Sequence, residues 1–167
     1  GANSYTWSSV ADENSETCFI RVSDADPQRY ADVYGVSAAA FSMRPKITVS
    51  QPVSGADVIV DSSGNTIAWS LNGSNKVQYV KLYYSKNNGQ FTNPINTSGS
   101  VDATQPYTWS GVPDDISNNI KIRVVDANNP NVYGDSLASF NIIGSITIQL
   151  PNASSNWAVD SSKNITW

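Results

Sequence analysis

The sequence contains no histidine and a single cysteine, Cys18, and these scarcities exclude several kinds of site. Without histidine there is no imidazole to act as a catalytic base or as a metal ligand. One cysteine cannot form a disulfide within the chain, and it cannot supply a thiolate cluster for zinc. We therefore expect no cofactor and no metal site.

Charged residues are also scarce, since they make up 14% of the 167 residues. The ten basic residues are scattered, and the formal net charge is −4. Surfaces that bind nucleic acids need clustered lysine and arginine, so we expect no nucleic-acid partner. The longest run of small apolar residues, at 38–41, is far shorter than the ~20 residues of a membrane helix. We therefore predict no membrane span in this segment.

The first residues, Gly-Ala-Asn, lack a methionine and the pattern of a signal peptide. We expect from this a processed chain or a part of a longer one.

What the chain does contain is an internal repeat, because similar segments recur roughly 100 residues apart. The segments 47–52, 60–63 and 67–69 resemble 146–151, 159–162 and 165–167, and the segments 5–8, 20–22 and 24–25 resemble 107–110, 122–124 and 126–127. Tyr30 and Asp32 correspond to Tyr133 and Asp135, and Phe41 corresponds to Phe140 if the first copy carries a short insertion before Phe41. Chance does not account for so many matches at nearly one spacing.

The matches divide the chain into three parts of a tandem array. Residues 1–43 are predicted to be the C-terminal part of one repeat, and residues 44–144 a complete repeat. Residues 145–167 are predicted to be the N-terminal part of a further repeat. The connecting segments are short and are not Gly/Ser tethers, so we expect the units to lie end to end with limited bending.

Each unit shows the alternation of apolar and polar residues that is typical of half-buried β-strands. In the complete repeat this alternation covers 47–49, 67–71, 80–84, 107–109, 120–124 and 138–142. The turn sequence Asn87-Asn88-Gly89 favours a hairpin after the third of these segments. The pattern predicts an all-β fold, built as an antiparallel β-sandwich of immunoglobulin-like type.

The order of the motifs in the chain resembles that of a known family. An Ile-Thr-x-x-x-Pro segment is followed by Ile-x-Trp, Val-Lys-x-x-Tyr-Ser, Tyr-Thr-Trp-Ser-x-Val-Pro, Ile-Arg-Val-x-Asp-Ala and Phe-x-Ile. This resembles the Ig-like or fibronectin type III-like repeat that occurs in tandem in large secreted or surface proteins of bacteria, and it is similar to the Ser/Thr-rich anchored wall repeats of fungi.

The resemblance covers essentially the whole chain and implies an extracellular or cell-surface location. It implies a structural role as a stalk, spacer or adhesive fibre. The implied partners are adjacent repeats of the same chain or neighbouring copies.

The candidate ligand-binding residues are Tyr79, Lys81 and Tyr83 on one predicted strand, and Lys121 and Arg123 on another. In an immunoglobulin-like sandwich these two strands are neighbours, so their outward side chains form an aromatic and basic platform. Tyrosine rings stack on sugars or on partner proteins, and the cations bind acidic groups. An ordinary solvent-exposed face or a lateral contact between rods explains the same pattern. A module that binds a glycan or a surface protein is therefore the alternative to a purely structural role.

Several other side chains have a structural interpretation. Trp7 and Trp109 occupy equivalent repeat positions, as do Trp69 and Trp167, and each lies on the apolar side of its predicted strand, which favours core packing. Cys18 lies on the inward phase of its strand, which favours a buried thiol.

Aspartates cluster in two predicted loops, at Asp24, Asp26 and Asp32 and again at Asp126 and Asp135. Calcium binds such carboxylates, but their spacing is not that of a calcium loop, and aspartate also favours turns by binding its own backbone. We therefore prefer turns to a metal site.

The remaining acidic residues do not form a recognisable catalytic pair. Asp114-Asp115 and Glu13 lie in predicted loops, without the matched partner that glycoside hydrolysis requires. We predict that the protein is not an enzyme.

A third interpretation of the chain is self-assembly. Residues 1–43 would supply the last strands of a sandwich and residues 145–167 the first, so neighbouring chains could share a sandwich and build a filament. The equivalents of about 70–101 would be missing from such a sandwich.

Overall fold

The computed structural model describes residues 3–26, 28 and 33–167, and its regular structure is made of strands. One 3₁₀ turn, Ser74–Lys76, interrupts them, and no α-helix occurs in these ranges. None of the described segments forms a helix long and apolar enough to cross a membrane. The prediction of an all-β fold is confirmed.

Fourteen strands follow one another in the described residues. Residues 1–43, called the first part below, contain β1 (Ser15–Cys18), β2 (Arg21–Ser23), β3 (Tyr34–Val36) and β4 (Phe41–Met43). Residues 44–144, called the complete unit below, contain β5 (Lys46–Gln51), β6 (Asp57–Ile59), β7 (Asn65–Asn72), β8 (Tyr79–Lys86), β9 (Asn93–Pro94), β10 (Val101–Asp102), β11 (Tyr107–Trp109), β12 (Ser117–Asp126), β13 (Tyr133–Asp135) and β14 (Phe140–Ile143). In the last part, Leu150 and Thr166 form an isolated antiparallel bridge.

The strands of the complete unit form two sheets. One has the order β11-β7-β5, and the other has the order β10-β8-β12-β14-β6, with β13 also paired to β12 and β9 to β8. All of these pairs are antiparallel except β14 with β6, which run parallel. The expected purely antiparallel arrangement is therefore wrong at this edge, because the chain leaves the first sheet after β5 and adds β6 beside the last strand of the other sheet.

One hydrophobic core lies between the two sheets. Leu82 and Ile122 from one sheet and Ile67 from the other have no accessible surface. Strand β12 alternates strictly between buried and partly exposed residues from Ile120 onward, which is the pattern of a strand with one face on a core. Burial of each such aliphatic side chain contributes about 1.5–3 kcal/mol to the free energy of folding.

The two sheets come very close to each other at Gly134 of β13. A Cβ atom at this position would overlap the carbonyl oxygen of Ile47 in β5 and would lie 2.8 Å from its carbonyl carbon. Because every other residue has a Cβ, this crossing of β5 over β13 requires glycine. The position of Gly134 therefore determines how closely β5 can cover the hairpin formed by β12 and β13.

The hairpin after β8 turns at the predicted Asn-Asn-Gly sequence. Asn87 and Asn88 have φ angles of 54° and 60°, and the amide of Gly89 donates to the carbonyl oxygen of Lys86 at 2.9 Å. Positive φ at both central residues is the geometry of a tight hairpin turn, and asparagine tolerates it. The two asparagines adopt the left-handed conformation, and glycine occupies the residue after them.

The first part of the chain pairs its strands as the complete unit pairs its last strands. β2 and β3 form the pairs Arg21–Val36, Val22–Gly35 and Ser23–Tyr34, and β12 and β13 form the pairs Arg123–Asp135, Val124–Gly134 and Val125–Tyr133. Tyr34 thus takes the position of Tyr133, so the insertion lies in the loop between β2 and β3 and not just before β4. Tyr30 and Asp32, which the sequence comparison set against Tyr133 and Asp135, lie outside the described residues.

Tryptophans at equivalent sequence positions differ in burial. Trp109 is buried, and Trp69 is partly buried and donates from Nε1 to the carbonyl oxygen of Ala103 at 2.8 Å. Trp7 and Trp167 are 42% and 73% exposed. The expected core position is therefore wrong for these two. Neither lies in a strand, and no other described part of the chain covers either ring.

We expect the substitution Ile122→Ala to lower the free energy of unfolding of the complete unit by about 2–5 kcal/mol, because it empties a fully buried site. Urea unfolding followed by tryptophan fluorescence measures this loss. Ile20, just before β2, occupies the position equivalent to Ile122 and is 41% exposed. The substitution Ile20→Ala should therefore lower the free energy of unfolding by less than about 1 kcal/mol in dilute solution. Equal losses for the two variants would contradict this difference in burial.

Candidate binding face and junction

The five predicted ligand-binding residues lie on β8 and β12, which are neighbours in the sheet as expected. Tyr83 pairs with Arg123, and Lys81 pairs with Val125 two residues further along. The residues between them on β8 are buried in the core, so the side chains of Tyr79, Lys81 and Tyr83 belong to the outer face. The structure therefore brings the predicted residues onto one side of one sheet.

Arg123 is fully engaged on this face. Its Nε and Nη2 donate to the two carboxylate oxygens of Asp135 at 2.7 and 2.8 Å. Its guanidinium carbon lies 4.2 Å from the ring centroid of Phe91 and 4.1 Å from that of Tyr133. The hydrogen bonds to Asp135 raise the pKa of Arg123 above its ordinary value. This cation binds its neighbours on the sheet and has little left for a ligand.

Three of the other predicted residues line two shallow recesses. Lys81 and Tyr83 line one of about 350 Å³ together with Pro94, Asn96, Thr97 and Gly99. Tyr79 lines another of about 370 Å³ with Asn75, Val77, Gln78, Asp102 and Thr104. Lys121 lines neither of these two. The five residues share a face but do not converge on one point.

A buried amide holds the floor of the Lys81–Tyr83 recess. The Oδ1 atom of Asn96 accepts a hydrogen bond from the backbone amide of Leu82 at 2.7 Å, and its Nδ2 donates to the carbonyl oxygen of Gly99. Only 7% of Asn96 is exposed. Both ends of this side chain are used to close the loop after β9, so its amide is part of the scaffold and not a free ligand contact.

Residues 12–16 of the first part form a junction with two loops of the complete unit. Nδ2 of Asn14 donates to Oδ2 of Asp126 at 2.9 Å, and Nδ2 of Asn129 donates to Oδ1 of Asn14 at 2.6 Å. Asp126 is almost fully buried. These two bonds join the segment before β1 to the last residue of β12 and to the loop that follows it.

The same segment also reaches the 3₁₀ turn. The backbone amide of Asn75 donates to Oδ2 of Asp12 at 3.3 Å, and Nζ of Lys76 lies 3.5 Å from Oε1 of Glu13. These last contacts are exposed or long and add little to stability by themselves. Together with the Asn14 bonds they attach one segment to two loops at the same end of the complete unit.

Glu16 links the first part to the connecting segment. Nε and Nη2 of Arg44 donate to its two carboxylate oxygens at 2.8 and 2.5 Å, and the hydroxyl of Ser42 donates to Oε2 at 2.8 Å. The hydrogen bond from Arg44, followed by that from Ser42, lowers the pKa of Glu16 to about 2. Nδ2 of Asn129 also lies 3.4 Å from Oε1, so this carboxylate touches both sides of the junction.

The aspartate loops considered for calcium are closed by hydrogen bonds to their own backbone. Oδ1 of Asp24 accepts from the amide of Asp26 at 2.8 Å, and Oδ1 of Asp126 accepts from the amide of Asn128 at 3.0 Å. Asp32 lies outside the described residues. In the ranges that the structure covers, no three acidic or cysteine side chains are grouped as metal ligands. Among the described carboxylates, those of Asp24 and Asp126 make turns, and that of Asp135 pairs with Arg123.

Asp115, considered as half of a carboxylate pair, is bound to its own sheet. It accepts a hydrogen bond from the hydroxyl of Tyr84 and lies 3.2 Å from Nζ of Lys86. The bond from Tyr84 lowers the pKa of Asp115, whereas burial, followed by this hydrogen bond, raises the pKa of Tyr84. Tyr84 also packs on Trp109, with ring centroids 5.7 Å apart. This carboxylate anchors a core tyrosine.

Sequence reasoning missed the residues that make the junction and those that engage Arg123. Asn14, Glu16 and Phe91 belong to no repeated motif, so nothing in the local sequence distinguishes them from ordinary loop residues. The sequence carried one signal for the stacking of Arg123 on Tyr133, because an arginine and a tyrosine recur on neighbouring strands as Arg21 and Tyr34. In the structure the guanidinium carbon of Arg21 lies 4.2 Å from the ring centroid of Tyr34.

Comparison of the chain with protein-family models, with curated proteins and with solved structures finds no match.

We expect the carboxyl group of Glu16 to titrate with a pKa of about 2, against an ordinary value of 4.5. Because the folded-state pKa is the lower one, the contribution of Glu16 to stability is complete above pH 4.5 and is lost as the pH falls to about 2. NMR titration of the side-chain carboxyl carbon measures the pKa directly.

A control variant and one contrary outcome test this prediction. Arg44→Gln removes the strongest hydrogen-bond donor to Glu16, so the pKa should rise toward its ordinary value in that variant. An ordinary pKa for Glu16 in the unsubstituted chain would contradict the bidentate pair.

Proposed function

We propose that this chain is a structural segment of an extracellular or cell-surface protein, in which Ig-like β-sandwich units follow one another as a stalk, spacer or adhesive fibre. The observation that carries the proposal is the connection between the first hairpins and the complete unit. Strand β4 ends at Met43 and β5 begins at Lys46, and the contacts of residues 12–16 brace this short connection from the side.

The strand order supports the Ig-like interpretation of the complete unit. Counted along the chain, β5, β7 and β11 form one sheet, and β8, β12 and β14 belong to the other. This is the distribution of the A, B, E and C, F, G strands in an immunoglobulin-like sandwich. The two sheets share one core, as that architecture requires.

Matching hydrogen bonds support the interpretation of residues 1–43 as the end of a similar unit. The amide of Ser37 donates to the carbonyl oxygen of Ile20 at 2.9 Å, and the amide of Ser136 donates to that of Ile122 at 2.8 Å. The hydroxyl of each serine also accepts a hydrogen bond from the amide of its isoleucine. Two segments with the same strand register and the same side-chain bonds are what a tandem array would contain.

The polar junction supports a role that depends on stiffness. A flexible tether lets neighbouring units reorient freely. Here the Asn14–Asp126 contact joins the first part to the complete unit, and the Glu16–Arg44 contact joins it to the connecting segment. Such bracing limits bending and lets an array project whatever it carries away from a surface.

We expect the double substitution of Asn14→Ala and Glu16→Gln to loosen the first hairpins from the complete unit, because it removes both bracing points. Residual dipolar couplings measured for β2 and for β12 should fit one alignment tensor in the unsubstituted chain and two in the variant. Asn118→Ala, at the exposed position equivalent to Glu16, is the control and should leave the single tensor unchanged. Independent tensors in the unsubstituted chain would contradict a stiff junction.

A binding role is the second candidate, and the recess at Lys81 and Tyr83 favours it, because it places an aromatic ring and a cation on one concave surface. A glycan array tests it with the full chain and with Tyr79→Ala and Tyr83→Ala variants. Signal that Tyr83→Ala abolishes would support binding at this recess. An array without signal would exclude binding to the sugars it displays.

A further inference from the structure

The recess beside Tyr79 differs in charge from the Lys81–Tyr83 recess, although the same strand contributes to both. Among the described residues that line the Tyr79 recess, Asp102 is the only charged one. Among those that line the other recess, Lys81 is the only charged one. The two recesses of the complete unit therefore suit ligands of different chemistry.

Tyr79 and Asp102 are paired residues on neighbouring strands. Tyr79 is the first residue of β8 and Asp102 is the last residue of β10, and the two face each other across the ladder. Side chains at such positions point to the same face, with Cβ atoms about 4.5–5.5 Å apart. Tyr79 is 50% exposed. The pair therefore places an accessible aromatic ring beside a carboxylate.

One oxygen of the Asp102 carboxylate is fixed and the other is available. Oδ1 accepts hydrogen bonds from the backbone amide and the hydroxyl of Thr104 at 2.8 and 2.7 Å. The bond from the amide, followed by that from the hydroxyl, lowers the pKa of Asp102. Oδ2 accepts no hydrogen bond from any described residue. This carboxylate is thus held in place by Thr104 while one oxygen can still accept a bond from a ligand.

Two side-chain amides add further hydrogen-bonding groups to the recess. Asn75 and Gln78 are exposed, and their amide groups form no hydrogen bond within the described part of the chain. Each amide offers two donors and one acceptor. Together with Oδ2 of Asp102 they surround the ring of Tyr79 with unused polar groups.

The backbone around the recess is tied to its neighbours. The amide of Ala103 donates to the carbonyl oxygen of Gln78 at 3.0 Å, and the amide of Ala127 donates to that of Tyr79 at 2.9 Å. A ligand that binds here meets a frame that is already ordered. Binding to an ordered frame costs less conformational entropy than binding to a loose loop.

We propose that the Tyr79 recess binds a neutral saccharide. The ring of Tyr79 stacks on the C–H face of a pyranose, and Oδ2 of Asp102 accepts a charge-assisted hydrogen bond from a sugar hydroxyl. The amides of Asn75 and Gln78 bind further hydroxyl groups. An apolar surface with a few placed polar groups is the usual composition of a small-molecule site.

The charge and the number of polar groups favour this ligand class over others. The carboxylate of Asp102 repels an anionic ligand, and no cation among the described lining residues offsets it. A cationic ligand would gain little from one exposed carboxylate in water. A neutral sugar uses the ring and all of the free polar groups at once. The inference goes beyond the structural role and does not depend on the Lys81–Tyr83 recess.

NMR titration of the full chain tests the proposal, with the methyl glycosides of glucose, galactose, mannose and N-acetylglucosamine as probes. We expect at least one of them to shift the backbone amide signals of Tyr79, Asp102 and Thr104, with a Kd of about 1–10 mM, as is typical of a small ligand in an open recess. Methyl glucuronide should bind about threefold or more weakly than methyl glucoside at low salt, because its carboxylate meets Asp102.

Three variants locate the bound sugar. Tyr79→Ala should abolish the shifts, because it removes the stacking surface. Asp102→Asn keeps the shape of the side chain and the bonds from Thr104 but removes the charge, and it should raise the Kd by about tenfold. Tyr83→Ala is the matched control, because it removes a tyrosine of the same strand outside this recess, and it should leave the Kd unchanged. Amide signals of the core strands should stay in place in all three variants.

Three outcomes would overturn the proposal. These are the absence of shifts for every probe at about 100 mM, equal affinity of Tyr79→Ala and the unsubstituted chain, and shifts that Tyr83→Ala abolishes instead. The last outcome would support binding at the Lys81–Tyr83 recess. The alignment tensors of β2 and β12 test the structural role separately, so either proposal can fail without the other.

Discussion

The crossing of β5 over the β12–β13 hairpin is the contact on which the rest of the complete unit depends. It requires a residue without a Cβ at Gly134, because the carbonyl group of Ile47 occupies that space. At this distance the second sheet excludes water from the inward face of β12, and Ile122 and Val124 become fully buried. In the first part, the same hairpin pairing without a covering strand leaves Val22 exposed. Burial is therefore a property of the pair of sheets and not of the hairpin.

The outer face and the junction use polar groups in a related way. Arg123 stacks on two rings and forms a bidentate pair with Asp135, so its charge joins β12 to β13 and to the loop that carries Phe91. Glu16 does the same between the first part and the connecting segment. In a chain with few charged residues, several of them are thus used to hold neighbouring segments together. Such pairing agrees with the structural role proposed above.

Sequence patterns predicted the parts of the fold that depend on local chemistry. Alternation of apolar and polar residues placed β5, β7, β8, β11, β12 and β14 but not the short strands β6, β9, β10 and β13. Asparagine chemistry placed the turn at Asn87-Asn88. The adjacency of β8 and β12 also followed from the expected fold class. The parallel pairing of β6 with β14 did not, because it depends on where the chain crosses between sheets. The engagement of Arg123 was missed because Phe91 reaches it through space from a distant loop.

The sequence by itself determined the all-β class and the spacing of similar segments, because both are carried by residues close together along the chain. Only the tertiary structure decided which of these segments are covered. Trp109 and Trp7 stand at equivalent sequence positions, yet one is buried and the other is 42% exposed. Tertiary structure also decided which charges are already paired. Burial needs a second sheet, and pairing needs a neighbouring strand. Both depend on which distant segments come together in space, and the pattern of residues along the chain does not contain that information.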